Sequence, residues 1–247
     1  MALRSLLVFL ALMATLPAER AGPRKPRTGQ AKVASRITNR RLNRFAVRDT
    51  SLVGALLELG RKARVPLGIE YVDLASLEKP VSVTLASTTV AGALRALLRG
   101  HPTYTWHEDG RTVVIGSSRL PPAARNLFDW VMPDLKVPRC TITEASGLIR
   151  MSLALSLHPS LRGFAGEYAP GKLSDLVGPV TFRNATVRHM LDALVAQAGD
   201  VAWVSRALPR DMSELPPGGL WRIVSYDDPD LGAVPDLLRR SLAGRNR

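Results

Sequence analysis

Displacing the chain along itself by about 97 positions lays VTLASTTVAGALRALLRGHPTYTWH over VTFRNATVRHMLDALVAQAGDVAWV without a gap. Val83 meets Val180, Thr84 meets Thr181, Thr89 meets Thr186, Val90 meets Val187, Leu94 meets Leu191, Leu97 meets Leu194 and Trp106 meets Trp203. One amphipathic helix matches another easily, because apolar periodicity is common to most of them. Agreement that runs from strand through helix into the next strand is harder to obtain by accident. It predicts two copies of one small structural unit.

The first copy is the more readable. Val81, Val83 and Leu85 alternate with Ser82 and Thr84, as a half-buried strand requires. Thr88 or Thr89 then caps a helix whose buried stripe is Val90, Ala93, Leu94, Leu97 and Leu98, ended by Gly100 and Pro102. A Tyr104, Trp106 strand, a Glu108-Asp109-Gly110 turn and a strand from Arg111 to Ile115 form a hairpin. Upstream, Phe45 and Val47 start a strand, and Asp49, Thr50 or Ser51 caps a helix buried through Leu52, Ala55, Leu56, Leu59 and Ala63. Pro66 closes that helix, Leu67, Ile69 and Tyr71 alternate as a strand, and VDLASLE connects. The expected order is strand, helix, strand, strand, helix, strand, strand.

The stretch 118–138 holds Pro121, Pro122, Pro133 and Pro138, each disfavouring helix in the residue before it, and reads as a linker against which Phe128 and Trp130 pack. The second unit, 139–226, opens on a helix with Ile142, Ala145, Leu148, Ile149, Leu153 and Leu157 on one face. Arg162 to Tyr168 reads as a strand, and a Pro- and Gly-rich loop after Trp203 stretches the last hairpin. Residues 227–247 form a basic tail.

The N-terminus carries an address. One positive charge at Arg4, an apolar run from Leu6 to Leu16 too short for an ordinary transmembrane helix, and Leu16-Pro17-Ala18 make 1–18 a signal peptide, cleaved after Ala18 or alternatively Ala21. A periplasmic or secreted chain with no membrane span is expected. Residues 19–44 combine prolines, glycines and nearly unopposed positive charge, the composition of a flexible basic arm. Its Arg24, Lys25, Arg27, Lys32, Arg36, Arg40, Arg41 and Arg44 are the candidate contacts to an anionic polymer or membrane surface. The whole chain has 34 Lys and Arg against 21 Asp and Glu, a net charge of +13. Such a field favours anionic partners, but an Arg-, Ala- and Pro-rich composition also follows from a GC-rich genome.

The segment FAVRDTSLVGALLELGRKARVPLGIEYVDLASLEKPVSVTLASTTVAGALRALLRGHPTYTWHEDGRTVVIG resembles the short N-terminal domain shared by secretins and signal-transducing TonB-dependent receptors. The pattern lies in the strand before DTSLVGALLEL, the Gly68-containing strand, PVSVTL, the TTVAGALRALL helix and the YTWHEDGRTVVI hairpin. The resemblance covers 45–117 well and 139–226, through the repeat, weakly. It implies a periplasmic α/β fold of two small βαβ-like units that docks protein partners and catalyses nothing. No long β-rich region follows to build a ring or barrel, so only partner recognition is carried over.

The reactive inventory points the same way. Cys140 is the single cysteine, which excludes an internal disulfide and a thiolate-rich zinc site and reads as a buried, inert residue. His101, His107, His158 and His189 show no HExxH or other metal spacing and read as surface residues. Neither GxSxG nor GxxxxGK[ST] occurs, and Glu108 and Asp109 read as solvated turn acids. Asp227, Asp228 and Asp230 lack the regular spacing of a calcium loop. The expectation is an α/β chain of two tandem units, without cofactor or enzymatic activity, that docks an envelope protein. The alternative is an anionic envelope polymer or membrane surface held by the basic arm; nucleic acid is not expected.

Overall fold

A computed structural model describes residues 36–120, 122–157, 175–206, 221–228, 231–236 and 238. The first half runs β1 (Arg41–Leu42), β2 (Phe45–Ser51), α1 (Leu52–Ala63), β3 (Leu67–Val72), α2 (Leu74–Glu78), β4 (Pro80–Leu85), β5 (Thr88–Thr89), α3 (Val90–Leu98), β6 (Tyr104–Asp109) and β7 (Thr112–Ser117). The second runs α4 (Pro122–Phe128), β8 (Val131–Val137), β9 (Cys140–Thr141), α5 (Ile142–Leu157), β10 (Leu176–Val177), β11 (Val180–Thr186), α6 (Val187–Ala198), β12 (Val201–Arg206) and β13 (Trp221–Ser225). The class is mixed α/β.

Each main helix starts where a hydroxyl or carboxylate takes up a free backbone N–H. Ser51 accepts from Gly54 N–H at 3.1 Å, Thr89 from Gly92 N–H at 3.1 Å and Thr186 from His189 N–H at 3.2 Å. At α5 the exchange is reciprocal: Thr141 N–H donates to Glu144 at 2.8 Å and Glu144 N–H to Thr141 Oγ1 at 3.3 Å, a capping box. The apolar stripes then bury. Leu52, Leu56 and Leu59 on α1, Val90 and Leu94 on α3, and Val187, Leu191 and Leu194 on α6 are fully buried. The residues matched by the self-overlap thus hold equivalent caps and core positions in α3 and α6.

A five-stranded sheet runs through both halves in the order β13-β12-β3-β7-β6. β3 is its centre: Leu67, Gly68 and Ile69 pair in parallel with Val113, Val114 and Ile115 of β7 on one side. On the other, Leu67, Gly68 and Ile69 pair in parallel with Ala202, Trp203 and Val204 of β12. Side chains alternate across this sheet. Leu67, Ile69, Val113, Ile115, Ala202 and Val204 join the core made with α1 and α3, whereas Val201, Trp203 and Trp221 join the one made with α5 and α6. Four antiparallel two-stranded ribbons accompany it among the described residues: β2 with β4, β8 with β11, and the short pairs β1 with β5 and β9 with β10.

This arrangement corrects the division into tandem units joined by a linker. The described residues fall within one compact unit, Ser35–Arg247, because the second half lays its hairpin against the central strand of the first. The supposed linker is itself structure: 122–128 is helix, and 131–137 is the strand that pairs with β11. Pro133 does not prevent this, since a two-stranded ribbon leaves half of each strand's N–H groups unpaired in any case. Phe128 is buried, 5.6 Å from the Trp203 ring and 6.5 Å from that of Trp221, while Trp130 is 38% exposed.

The basic arm is also shorter than its composition suggests. Residues 36–44 belong to the fold: β1 pairs with β5, and Thr38 is buried with its backbone N–H 2.8 Å from Glu108 Oε1 and its hydroxyl on the same oxygen. Glu108 is therefore engaged rather than free in a turn. His101 is buried too, edge-on to Tyr104, and burial together with the Lys79 charge pushes its pKa down. Cys140 is half-buried at β9, with its thiol pKa raised by burial and by Glu144. The expected signal peptide over 1–18, residues 19–35, the strand expected over 162–168, His158, Asp230 and 239–247 lie outside the described residues.

Candidate functional site

The outer ribbon of the second half presents an open strand edge with a recess beside it. β11 pairs with β8 from Val180↔Val137 to Thr186↔Val131, and the ladder skips Asn184 and Pro133. Asn184 sits at φ 46, a left-handed backbone that Asn tolerates better than most residues. Phe182 and Ala185 turn inward, and Thr181, Arg183 and Asn184 are exposed. Along this strand lies an open depression of about 430 Å³ lined by 181–186 and His189. The His189 ring stands edge-on to Phe182 at 6.5 Å, giving the depression an aromatic floor with a cationic side chain, Arg183, at its rim.

β11 is bonded to β8 alone, so the N–H and C=O groups on its other side are free of strand partners among the described residues. Such an edge is a template for an added strand. On β8 the missing N–H of Pro133 makes that strand the poorer template.

Of the basic residues singled out for an anionic surface, Arg24, Lys25, Arg27 and Lys32 lie outside the described residues. Arg36, Arg41 and Arg44 are exposed on the first folded segment. Arg40 instead serves the fold, because its Nη1 donates to the carbonyls of Ala63 at 2.6 Å and Arg64 at 2.8 Å and so satisfies the open C-terminal end of α1. Composition alone could not separate Arg40 from its neighbours.

A second polar constellation, which no sequence motif announces, lies where α6 crosses the shared sheet, buried at Glu70 and Asp192 and exposed at Asp129. Arg188 of α6 pairs with both Glu70 of β3 and Asp129 after α4. One turn further, Asp192 accepts from the Trp203 indole N–H at 2.8 Å, and its backbone carbonyl accepts from Thr112 Oγ1 at 2.9 Å. Asp192 is 3% exposed, and burial pushes its pKa up to about 7 against the lowering by the Trp203 hydrogen bond, with Asp109 and Glu70 adding to the rise. The chain is acidic here although basic overall.

No grouping of His, Cys, Asp and Glu suited to a metal ion occurs among the described residues, and no described helix is long and apolar enough to cross a membrane. Compared with protein-family models, with curated proteins and with solved structures, the chain matches none.

Proposed function

We propose that this is an exported, non-catalytic protein of the cell envelope that docks an extended segment of a protein partner on the β11 edge. The open edge of β11 beside the Phe182–His189 depression carries this reading: main-chain groups there can take a further strand, and the recess can seat one of its side chains. The resemblance of 45–117 to the short N-terminal domain of secretins and TonB-dependent receptors, which implies small βαβ-like units that recognise protein partners, favours the same reading. Binding to an anionic surface is the second reading, favoured by exposed Arg36, Arg41 and Arg44 beside the basic stretch that precedes them.

The test uses the full-length chain expressed with its own leader and recovered from the envelope fraction, where its N-terminus should be at about residue 19. Arg183→Ala combined with His189→Ala, both at exposed positions, should lower capture of the envelope protein held by the parent chain about tenfold or more. Deleting 19–35, which spares β1, should change it little. If the double variant captures as well as the parent, while the deletion and added salt abolish binding, the anionic-surface reading replaces docking.

A further inference from the structure

The polar seam between α6 and the shared sheet is short of positive charge. Glu70 and Asp109 both act on Asp192 there, and Asp129 lies on the same arginine as Glu70. Arg188, already engaged by Glu70 and Asp129, is the cation that acts on Asp192. Asp192 Oδ1 has the Trp203 indole N–H, but Oδ2 is buried without a hydrogen-bond partner among the described residues. An ionised carboxylate in that position faces Glu70 of β3 and Asp109 of β6 across the seam and has half its acceptor capacity empty. A neutral one is free of the like charge and of the cost of burying a charge, and leaves only its Oδ2 hydroxyl without a partner among the described residues. The same residue grips both halves, since its carbonyl holds Thr112 of β7 and its side chain holds Trp203 of β12.

We propose that Asp192 is a proton-operated latch: protonated, it keeps α6 seated on the five-stranded sheet, and ionised, it loosens the seam that joins the two halves. The group's direction of shift fixes the sign. Its pKa in the folded chain, about 7, lies above the ordinary carboxylate value of about 4, so the folded state keeps a proton that the unfolded chain gives up. Stability from this group is complete below about pH 4, falls as pH rises towards 7, and is level above that. His101 works oppositely, its lowered pKa favouring the fold as pH rises, so the comparison has to isolate Asp192.

The experiment compares the full chain with Asp192→Asn, which keeps a side-chain oxygen for the Trp203 indole but cannot ionise. Between pH 5 and pH 8 the melting temperature of the parent should fall about 5 °C more than that of Asp192→Asn. In the folded parent, the Trp203 indole N–H resonance, assigned by its loss in Trp203→Phe, should move with a midpoint near neutral pH. Amide exchange in α6 should speed up across the same range. Equal pH slopes for parent and variant overturn the latch. If Asp192→Asn does not fold, the parent decides: an indole resonance that stays still from pH 5 to pH 8 overturns it equally.

Discussion

Trp203→Ala should destabilise the chain by about 3–5 kcal/mol, and Trp106→Ala by no more than about half of that, although the two tryptophans match in the self-overlap. Trp203 is fully buried between β3 and α6 and holds Asp192 through its indole, whereas Trp106 lies on the edge strand β6 and is only partly covered. The interior position also accounts for Gly68. A Cβ at Gly68 would come within 2.6 Å of Trp203 Nε1 and 2.7 Å of Cε2, so the indole packs directly against the backbone of the central strand. Gly68→Ala should consequently cost about 1–3 kcal/mol by overpacking, and combined with Trp203→Ala should cost much less than the sum. Chemical denaturation of the parent and the four variants measures this. Equal losses for the two tryptophans would mean that β12 does not lie inside the sheet.

Leu94→Ala and Leu191→Ala should each cost about 2–5 kcal/mol and lower one and the same calorimetric transition. Both leucines are fully buried, one on α3 and one on α6, in cores on opposite faces of the five-stranded sheet. Tandem modules joined by a linker would melt separately, each mutation touching its own module. A sheet whose central strand pairs with both hairpins couples them, because opening either face strips partners from β3. Two resolved transitions, each shifted by one mutation only, would refute the coupling.

The contrast between these expectations shows where sequence is informative. The α3 and α6 caps, stripes and strand entries are local, so Thr89, Thr186 and the leucines between them announce themselves by spacing. The seam is not local. Glu70, Thr112, Arg188 and Asp192 are polar residues in amphipathic strands and helices, and such positions ordinarily face water. Here they meet because β12 docks on β3, and that pairing leaves no periodic trace in either segment. Arg40 is hidden by its company in a basic run, and β8 by Pro133 and Pro138, which mark an edge strand as readily as a loop. One local signal does mark the second half: Thr141 and Glu144 stand in the spacing of a capping box, which places the start of α5.

The central position of β3 also has a temporal consequence. Its pairing with β7 closes a loop within the first half, whereas its pairing with β12 joins Leu67 to Ala202, near the other end of the described fold. Loop closure grows dearer in entropy with separation, so the first half should assemble early and the β3–β12 contact late. Until then β3 is itself an open edge, its Gly68 and Glu70 without α6 over them. The chain should pass through an interval in which a strand buried in the finished fold is exposed and adhesive. Pulse-labelled amide exchange should show β7 protected before β12; simultaneous protection would remove that interval.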